Sequence, residues 1–372
     1  MNEKITFINS SMGMGGVPRV INLWANYFIN KGYVIEITSN IDIPLFYDFD
    51  TRIKYSVLGI DRFNQSSKVR ALFKIYFFLK GRKDETLIFN KALYINYLFL
   101  LKKVGLIDKS LKLIYFVHGG SSNFITMYDD KVNCKINYIF DEIIALHNDF
   151  SFQEEGSKRK FSNSLISSQW SQIKDKINYI PNPVTFRSED IADYNAKMVL
   201  AVGRLDPIKG FDLLIKSWSR VIKKYPDWKL KIVGSGEEKE NLEKLVSSLS
   251  LQNYVFLIPQ QEDIKSQYLT SSIYVMSSRK EGFGMVTIEA MECGLPVVAF
   301  SNVGSKFLVK NHINGLLCEV GDIDELSENI MKLVVNKDLR IKMSQKSIEL
   351  VKVFYIENIA EKWNRILRVN FE

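Results

Sequence analysis

Short apolar runs alternate along this chain with longer stretches whose apolar residues recur at helical spacing. Ile5 to Ile8 is the first run. Gly13, Gly15 and Gly16 punctuate the chain after it, and Val17 to Ile29 then reads as a helix. Val34 to Thr38 follows Gly32, and Thr86 to Phe89, Leu113 to Val117 and Glu142 to Leu146 continue the series of strands. Strands that alternate with helices imply parallel sheets built from strand–helix–strand units. At Tyr179-Ile-Pro-Asn-Pro-Val184 two prolines flank an asparagine, which suits a linker and forbids helix. The alternation then restarts. Lys197 to Val202, Trp228 to Val233, Tyr254 to Leu257, Ile273 to Met276 and Pro296 to Phe300 read as strands, with a charged helix over Glu237 to Leu249. Two α/β domains joined by a proline-rich hinge are the simplest architecture, with expected bounds of 1–183 and 184–353.

Composition changes this picture little. A chain of 372 residues can bury two cores, and 46% apolar with 25% charged residues is ordinary for a soluble protein. The opening residues lack an apolar run behind a basic start, and no stretch of 18 apolar residues occurs. Neither a signal peptide nor a spanning helix is therefore expected. Cys134, Cys293 and Cys318 are odd in number and widely separated, which argues against a disulfide framework and for a cytosolic setting. Charge is more informative. Of the net +8, residues 1–186 hold +7 (24 Lys/Arg against 17 Asp/Glu) and residues 187–372 hold +1 (26 against 25). A basic first half fits an anionic partner such as nucleic acid, acidic lipid or a phosphorylated acceptor; a general over-supply of lysine gives the same count.

Three segments fall where a strand leads into a helix, the place where open α/β sheets bind ligands. Gly13-Met-Gly-Gly16 lets backbone approach a ligand or simply makes a tight turn. It does not fit G-x-G-x-x-G, because Pro18 stands at the third glycine's place, and no acidic residue ends the second strand. A nicotinamide-dependent dehydrogenase is thus disfavoured. Gly203-Arg-Leu-Asp-Pro-Ile-Lys-Gly210 sets Arg204 and Lys209 in one loop, a pair suited to clamping a diphosphate or to sitting solvated on the surface. In Glu281-Gly-Phe-Gly-Met-Val-Thr-Ile-Glu289, glycines 282 and 284 offer backbone N–H groups before a helix, with a carboxylate at each end. A nucleoside-diphosphate sugar, with hydroxyls on both sides of its phosphates, matches that layout.

Glu281 and Glu289 match the E-x7-E motif, and here the chain resembles the retaining glycosyltransferases of family 4. The resemblance extends over the N-terminal glycine loop, the Pro-Asn-Pro hinge, Gly203-Arg-Leu with Lys209, Gly234-Ser-Gly-Glu237, Asn314-Gly-Leu-Leu317 and the closing helix from about 354 to 370. It implies the GT-B fold: α/β, two Rossmann-like domains facing a central cleft, with the closing helix crossing back to the first domain. It further implies that Arg204 and Lys209 bind the donor diphosphate and stabilise the leaving group, and that Glu289 holds the nucleotide ribose. Glu281 and the backbone of Gly282, Phe283, Gly284 and Met285 would hold the donor sugar, and Gly15 and Gly16 would close over the phosphates. His118, in Phe116-Val-His-Gly-Gly120, would contact the donor sugar; a structural histidine is the other reading. His147 is expected in a structural or acceptor-contacting role and His312 at the surface.

The segment Asn302-Val-Gly-Ser-Lys-Phe307 lacks the Gly-Pro-x-Glu common in the family, which leaves sugar selectivity open. Asp48-Phe-Asp50 mimics a metal-binding Asp-x-Asp without its surroundings. No metal and no cofactor are expected, the cations and the helix N-terminus serving instead. Lys68 to Lys83 interleaves aromatic and basic residues. It reads either as an interfacial helix or as a core-facing helix with a solvated back. Together these features give the expected function. By that resemblance the chain is expected to be a hexosyltransferase moving sugar from a nucleotide-sugar, a UDP-sugar, to a polyprenyl-diphosphate-linked or oligosaccharide acceptor in bacterial surface polysaccharide synthesis. It is peripheral on the cytoplasmic face of an anionic inner membrane, and no nucleic-acid partner is expected. A sugar-nucleotide 2-epimerase of the same fold and a catalytically silent binding subunit are the rivals.

Overall fold

The computed structural model describes residues 3–60, 67–91, 94–119, 130–148 and 174–367. Gly120 of the histidine motif and the last residues, 368–370, of the expected closing helix lie outside them. The chain divides into two compact units, Met1–Pro183 with Ile359–Glu372, and Val184–Asn358.

The first unit is built on seven parallel strands: β1 (Lys4–Asn9), β2 (Val34–Ser39), β3 (Lys54–Val57), β4 (Glu85–Phe89), β5 (Lys112–Val117), β6 (Glu142–Ala145) and β7 (Ile177–Tyr179). Their order across the sheet is β3-β2-β1-β4-β5-β6-β7. Between them run α1 (Gly16–Asn30), α2 (Ser67–Leu79), α3 (Ile95–Lys103) and α4 (Asp130–Ile139). Successive side chains of a strand point to opposite faces, and β1 shows it. Ile8 packs with Ala71, Ile75 and Leu79 of α2 and with residues of α3 and α4. Phe7 instead stacks on Phe28 of α1, which joins Trp24 around Trp363. Trp363 lies near the end of the chain and is fully buried, and it also meets Phe116 of β5.

At the N-terminal end of this sheet, the buried carboxylates of Glu36 and Glu85 share Arg82 and Lys4 at 2.8–3.0 Å. Burial alone raises the Glu36 pKa, but hydrogen bonds and charge from Arg82 and Lys4 overcome it and bring the group down to about 2.

The second unit holds six parallel strands: β8 (Met198–Val202), β9 (Lys229–Val233), β10 (Val255–Ile258), β11 (Ile273–Met276), β12 (Val297–Phe300) and β13 (Gly315–Cys318). Their order is β10-β9-β8-β11-β12-β13. Its helices are α5 (Phe211–Lys224), α6 (Lys239–Ser248), α7 (Ile264–Leu269), α8 (Met285–Glu292), α9 (Val303–Leu308), α10 (Ile323–Val335) and α11 (Lys337–Val351); α12 (Ile356–Leu367) follows and belongs from Ile359 to the first unit. Trp218 of α5 anchors a core that includes Val199, Leu230, Val275 and Ile330.

The strand order fixes where chemistry can sit. Each sheet is wound in two directions from its middle, so the connections leave oppositely from β1 and β4 in one unit and from β8 and β11 in the other. A crevice opens at the carboxyl ends of such a strand pair. The Gly13–Gly16 loop follows β1, the Arg204–Lys209 loop follows β8, and the Glu281 loop follows β11.

Candidate active site

In the second unit the loops after β8 and β11 are locked together. A 3-10 turn, Pro207–Lys209, begins at Asp206, whose side chain accepts from the Lys209 N–H. Gly210 follows with φ 65°, and a Cβ there would lie 2.1 Å from the carbonyl oxygen of Ser277, so only glycine allows the approach. Ser277 donates its hydroxyl to the Lys209 carbonyl at 3.0 Å, and the Arg279 N–H donates to the Ile208 carbonyl at 2.7 Å. The Arg279 guanidinium reaches the Pro207 carbonyl at 2.6 Å and takes both Asp212 oxygens at 2.8 Å, a bidentate fork. Burial raises the Asp212 pKa, but the Arg279 hydrogen bonds and charge hold its carboxyl below the usual range.

This scaffold sets Lys209 Nζ 2.6 Å from Glu281 Oε2, with both side chains largely withdrawn from solvent. Arg204, on the same loop, differs. Its Nε donates to Asp206 at 2.6 Å, while its side chain is 74% exposed. One cation is thus held inside against a carboxylate and the other projects outward.

Gly284 caps α8, whose first residue is Met285. The Phe283 side chain is buried against Phe307 and Phe354, which leaves its backbone as the part able to meet a ligand. The loop is backed by α9, where the Gly304 N–H donates to the Glu281 carbonyl at 3.0 Å. Asn302 caps α9 and donates its amide to Ser278 at 2.8 Å, so the segment lacking Gly-Pro-x-Glu serves as a brace for the Glu281 loop.

Glu289, in the second turn of α8, is 1% exposed. Its oxygens each accept a hydroxyl hydrogen bond, Oε1 from Thr185 at 2.8 Å and Oε2 from Tyr268 at 2.9 Å.

Gly234 and Gly315 serve packing. An added Cβ would meet the Gly203 carbonyl oxygen at 1.9 Å in the first case and that of Val297 at 2.1 Å in the second.

In the first unit, Tyr47 bonds both polar groups of Gly15: its hydroxyl donates to the carbonyl at 3.1 Å and accepts from the N–H at 3.4 Å. A Cβ at Gly16 would meet nothing within 4 Å, so the space beside it is open. His118 follows β5. Its Nε2 lies 2.8 Å from Asn90 Oδ1, and its ring stacks on Phe116 at 4.3 Å. Burial, with a smaller contribution from Lys91, pushes it down to about 3 from an ordinary 6.5. His147 is buried and His312 is exposed in a turn at φ 63°. Asp50 is bound by Arg52, and the Asp48 carbonyl accepts from Asn22 and Asn26; the Asp-x-Asp loop is tied down on α1.

The α2 surface is divided. Ala71, Ile75 and Leu79 enter the core, whereas Val69, Phe73 and Phe77 are 63%, 55% and 62% exposed on the opposite side. Lys68, Arg70, Lys74, Lys80 and Lys83 are exposed around them, and no carboxylate occurs between residues 67 and 83. Among the described residues, no helix is long and apolar enough to cross a membrane.

The pattern of residues had pointed to Arg204, Lys209, Glu281 and Glu289, and the structure gathers them around the winding centre of the second sheet. Thr185, Asp212, Tyr268, Arg279 and Asn90, which hold them or His118 in place, stand outside the sequence motifs. Only Arg279 carried a signal, two positions before Glu281 on a strand-to-helix loop.

The fold is shared with known glycosyltransferases. The pneumococcal O-GlcNAc transferase GtfA, solved with UDP and GlcNAc, superposes with a TM-score of 0.77 at 15% identity, covering 99% of both chains. That likeness defines the class as GT-B, two Rossmann-like units in one chain. A family model described as glycosyl transferases group 1 matches residues 185–350. A glycosyltransferase of Haemophilus influenzae is 34% identical over 98% of this chain and 100% of its own. The amylovoran biosynthesis glycosyltransferase AmsD of Erwinia amylovora is 24% identical over 99% and 100%. The chain belongs to the group 1 glycosyltransferases.

Proposed function

We propose that this glycosyltransferase moves a hexose from a UDP-sugar to a lipid-linked or saccharide acceptor, with retention of anomeric configuration and without a metal ion. The observation that carries the reading is the grouping of Arg204, Lys209, Glu281 and the α8 N-terminus at the winding centre of the second sheet. A diphosphate brings the negative charge that those cations and that helix end favour. Relatives support the setting, since one is named for amylovoran biosynthesis and a structural neighbour was solved with UDP and GlcNAc.

In the proposed step, the acceptor hydroxyl oxygen bonds to the anomeric carbon on the face the leaving group departs. The bond from that carbon to the diphosphate oxygen breaks, and that oxygen takes the acceptor proton. Arg204 and Lys209 stabilise the charge left on the diphosphate, as preorganised donors do at a developing anion. Glu281 and the backbone of Gly282 to Met285 hold the sugar, Glu289 the ribose, Gly15 and Gly16 the phosphates, and His118 a sugar hydroxyl.

Peripheral binding to an anionic membrane through α2 brings a polyprenyl-linked acceptor within reach. Its support is the exposed apolar stripe set among basic residues; each cation near an anionic leaflet contributes about 1 kcal/mol.

Incubation with a panel of UDP- and GDP-sugars, with and without a chelator, tests the reading. Turnover of a UDP-hexose that resists chelation and collapses in Arg204→Ala and Lys209→Ala is expected. Unchanged turnover in both variants overturns the site.

A further inference from the structure

We infer that Asn90 is a positioning residue: it fixes His118 as the Nε2–H tautomer, so that Nδ1 is a bare hydrogen-bond acceptor reserved for a hydroxyl group. Histidine at a sugar site can donate or accept, and which it does depends on what its other nitrogen is doing.

The geometry determines the tautomer through a chain of three bonding choices. Asn90 directly follows β4 and is buried; its backbone N–H donates to the Ile8 carbonyl at 2.9 Å. Its side chain lies between two further carbonyl contacts, with Nδ2 3.3 Å from the Ile8 oxygen and 3.3 Å from the Ile88 oxygen. Carbonyls only accept, so the amide must turn its NH2 toward them and its Oδ1 away. That oxygen lies 2.8 Å from His118 Nε2. An amide oxygen also only accepts, so Nε2 carries the hydrogen. A neutral ring then has no hydrogen left for Nδ1.

Two features keep the ring neutral and still. Burial and the nearby Lys91 disfavour the imidazolium, and Phe116 stacks on the ring with planes 19° apart. The remaining nitrogen is the informative one. His118 Nδ1 is buried and has no hydrogen-bond partner among the described residues. A buried acceptor left unpaired is costly, and a ligand hydroxyl can recover that cost on binding. A ring so arranged neither delivers nor removes a proton near neutral pH. It accepts one hydrogen bond, and it discriminates for a hydroxyl and against a carbonyl or ether oxygen at that position of the sugar.

This rests on the reading of His118 as a sugar contact, and the test separates the two. Full-length protein labelled with 15N-histidine is examined by long-range 1H–15N correlation spectra, which distinguish the two neutral tautomers and the imidazolium. The His118 signals are assigned by their loss in His118→Gln. The Nε2–H tautomer is expected in the wild type from pH 5 to 8. Asn90→Ala, which removes the oxygen that accepts from Nε2, releases the ring to a mixture. An Nδ1–H tautomer or an imidazolium at pH 7 in the wild type overturns the inference, as does an unaltered tautomer in Asn90→Ala. The wild-type spectrum suffices should Asn90→Ala not fold. Donor analogues lacking single hydroxyls then locate the partner. If His118→Gln and Asn90→Ala leave turnover of every donor unchanged while the tautomer is as stated, the sugar contact fails and the tautomer lock stands.

Discussion

Lys209 and Glu281 lie on loops that leave two neighbouring strands, and their charged ends meet at 2.6 Å. The cation proposed for the diphosphate and the carboxylate proposed for the sugar thus neutralise each other until a ligand separates them. Lys209→Ala removes a cation from the leaving group, and kcat is expected to fall roughly 10²–10³-fold. Glu281→Gln keeps the shape of the pair and weakens it, so sugar positioning suffers while UDP binds nearly as well. Titration of UDP alongside turnover of the UDP-sugar checks both.

Arg279 couples the same two loops through the Pro207 carbonyl and Asp212. A displacement of about 1 Å at a reacting centre can cost about 10²-fold. Arg279→Ala is expected to lower kcat/KM by about tenfold or more, and Arg279→Lys to restore little, because an ammonium cannot reproduce the fork. In a Lys209→Ala background the Arg279 effect should shrink, since the residue it aligns is gone. Equal losses in both backgrounds would show that Arg279 supports the fold alone.

Glu289 is a buried carboxylate that depends on the Thr185 and Tyr268 hydroxyls. Thr185→Val and Tyr268→Phe each take away one partner at nearly constant volume. A loss of about 1–3 kcal/mol is expected from each in urea unfolding of the full chain. If Glu289 also holds the ribose, its release from either bond should change KM for the donor before it changes kcat.

His118 makes stability depend on pH in a defined direction. Its pKa is about 3 in the folded chain and 6.5 ordinarily, so between those values the unfolded chain binds the extra proton. The contribution is complete above pH 6.5 and declines as pH falls toward 3. His118→Gln should show a shallower decline over that window, measured by urea unfolding at pH 7, 5 and 4. Glu36, held at about 2, loses its contribution over a lower window, from its ordinary value down to about 2. The difference between wild type and His118→Gln therefore isolates the histidine.

On α2, Phe73→Ser and Phe77→Ser change exposed side chains and should leave unfolding nearly unmoved, because the core-facing Ile75 and Leu79 remain. Flotation with vesicles is expected to recover the wild type on anionic lipid and to lose the double variant. Equal flotation of both proteins would sink the membrane reading of this helix.

Much of this was legible in the sequence because apolar runs and glycines mark where parallel strands end. Ile273–Met276 was read to the residue. Lys54–Val57 was not seen, since an edge strand with one polar and one basic position carries no continuous apolar run. The four charged residues proposed for the site stand out in the sequence by their spacing around glycine-rich loops. Their supports were hidden, because Thr185 and Tyr268 meet Glu289 from positions 104 and 21 residues away, and nothing local marks such a pairing. In the sequence the glycines at 234 and 315 stand only among the segments that carry the family resemblance. They prove to be where one backbone must pass against another.

The aromatic cluster of the first unit has a consequence for how the polypeptide comes into being. Trp24, Phe28 and Phe116 are made early, but the ring that completes them, Trp363, is synthesised only after the whole second unit. Domains usually fold in the order in which they leave the ribosome. Here the N-terminal half must wait with an open apolar face until the second unit has been made. A chain terminated before residue 359 would expose that face permanently, which makes truncated products natural clients for chaperones and proteases.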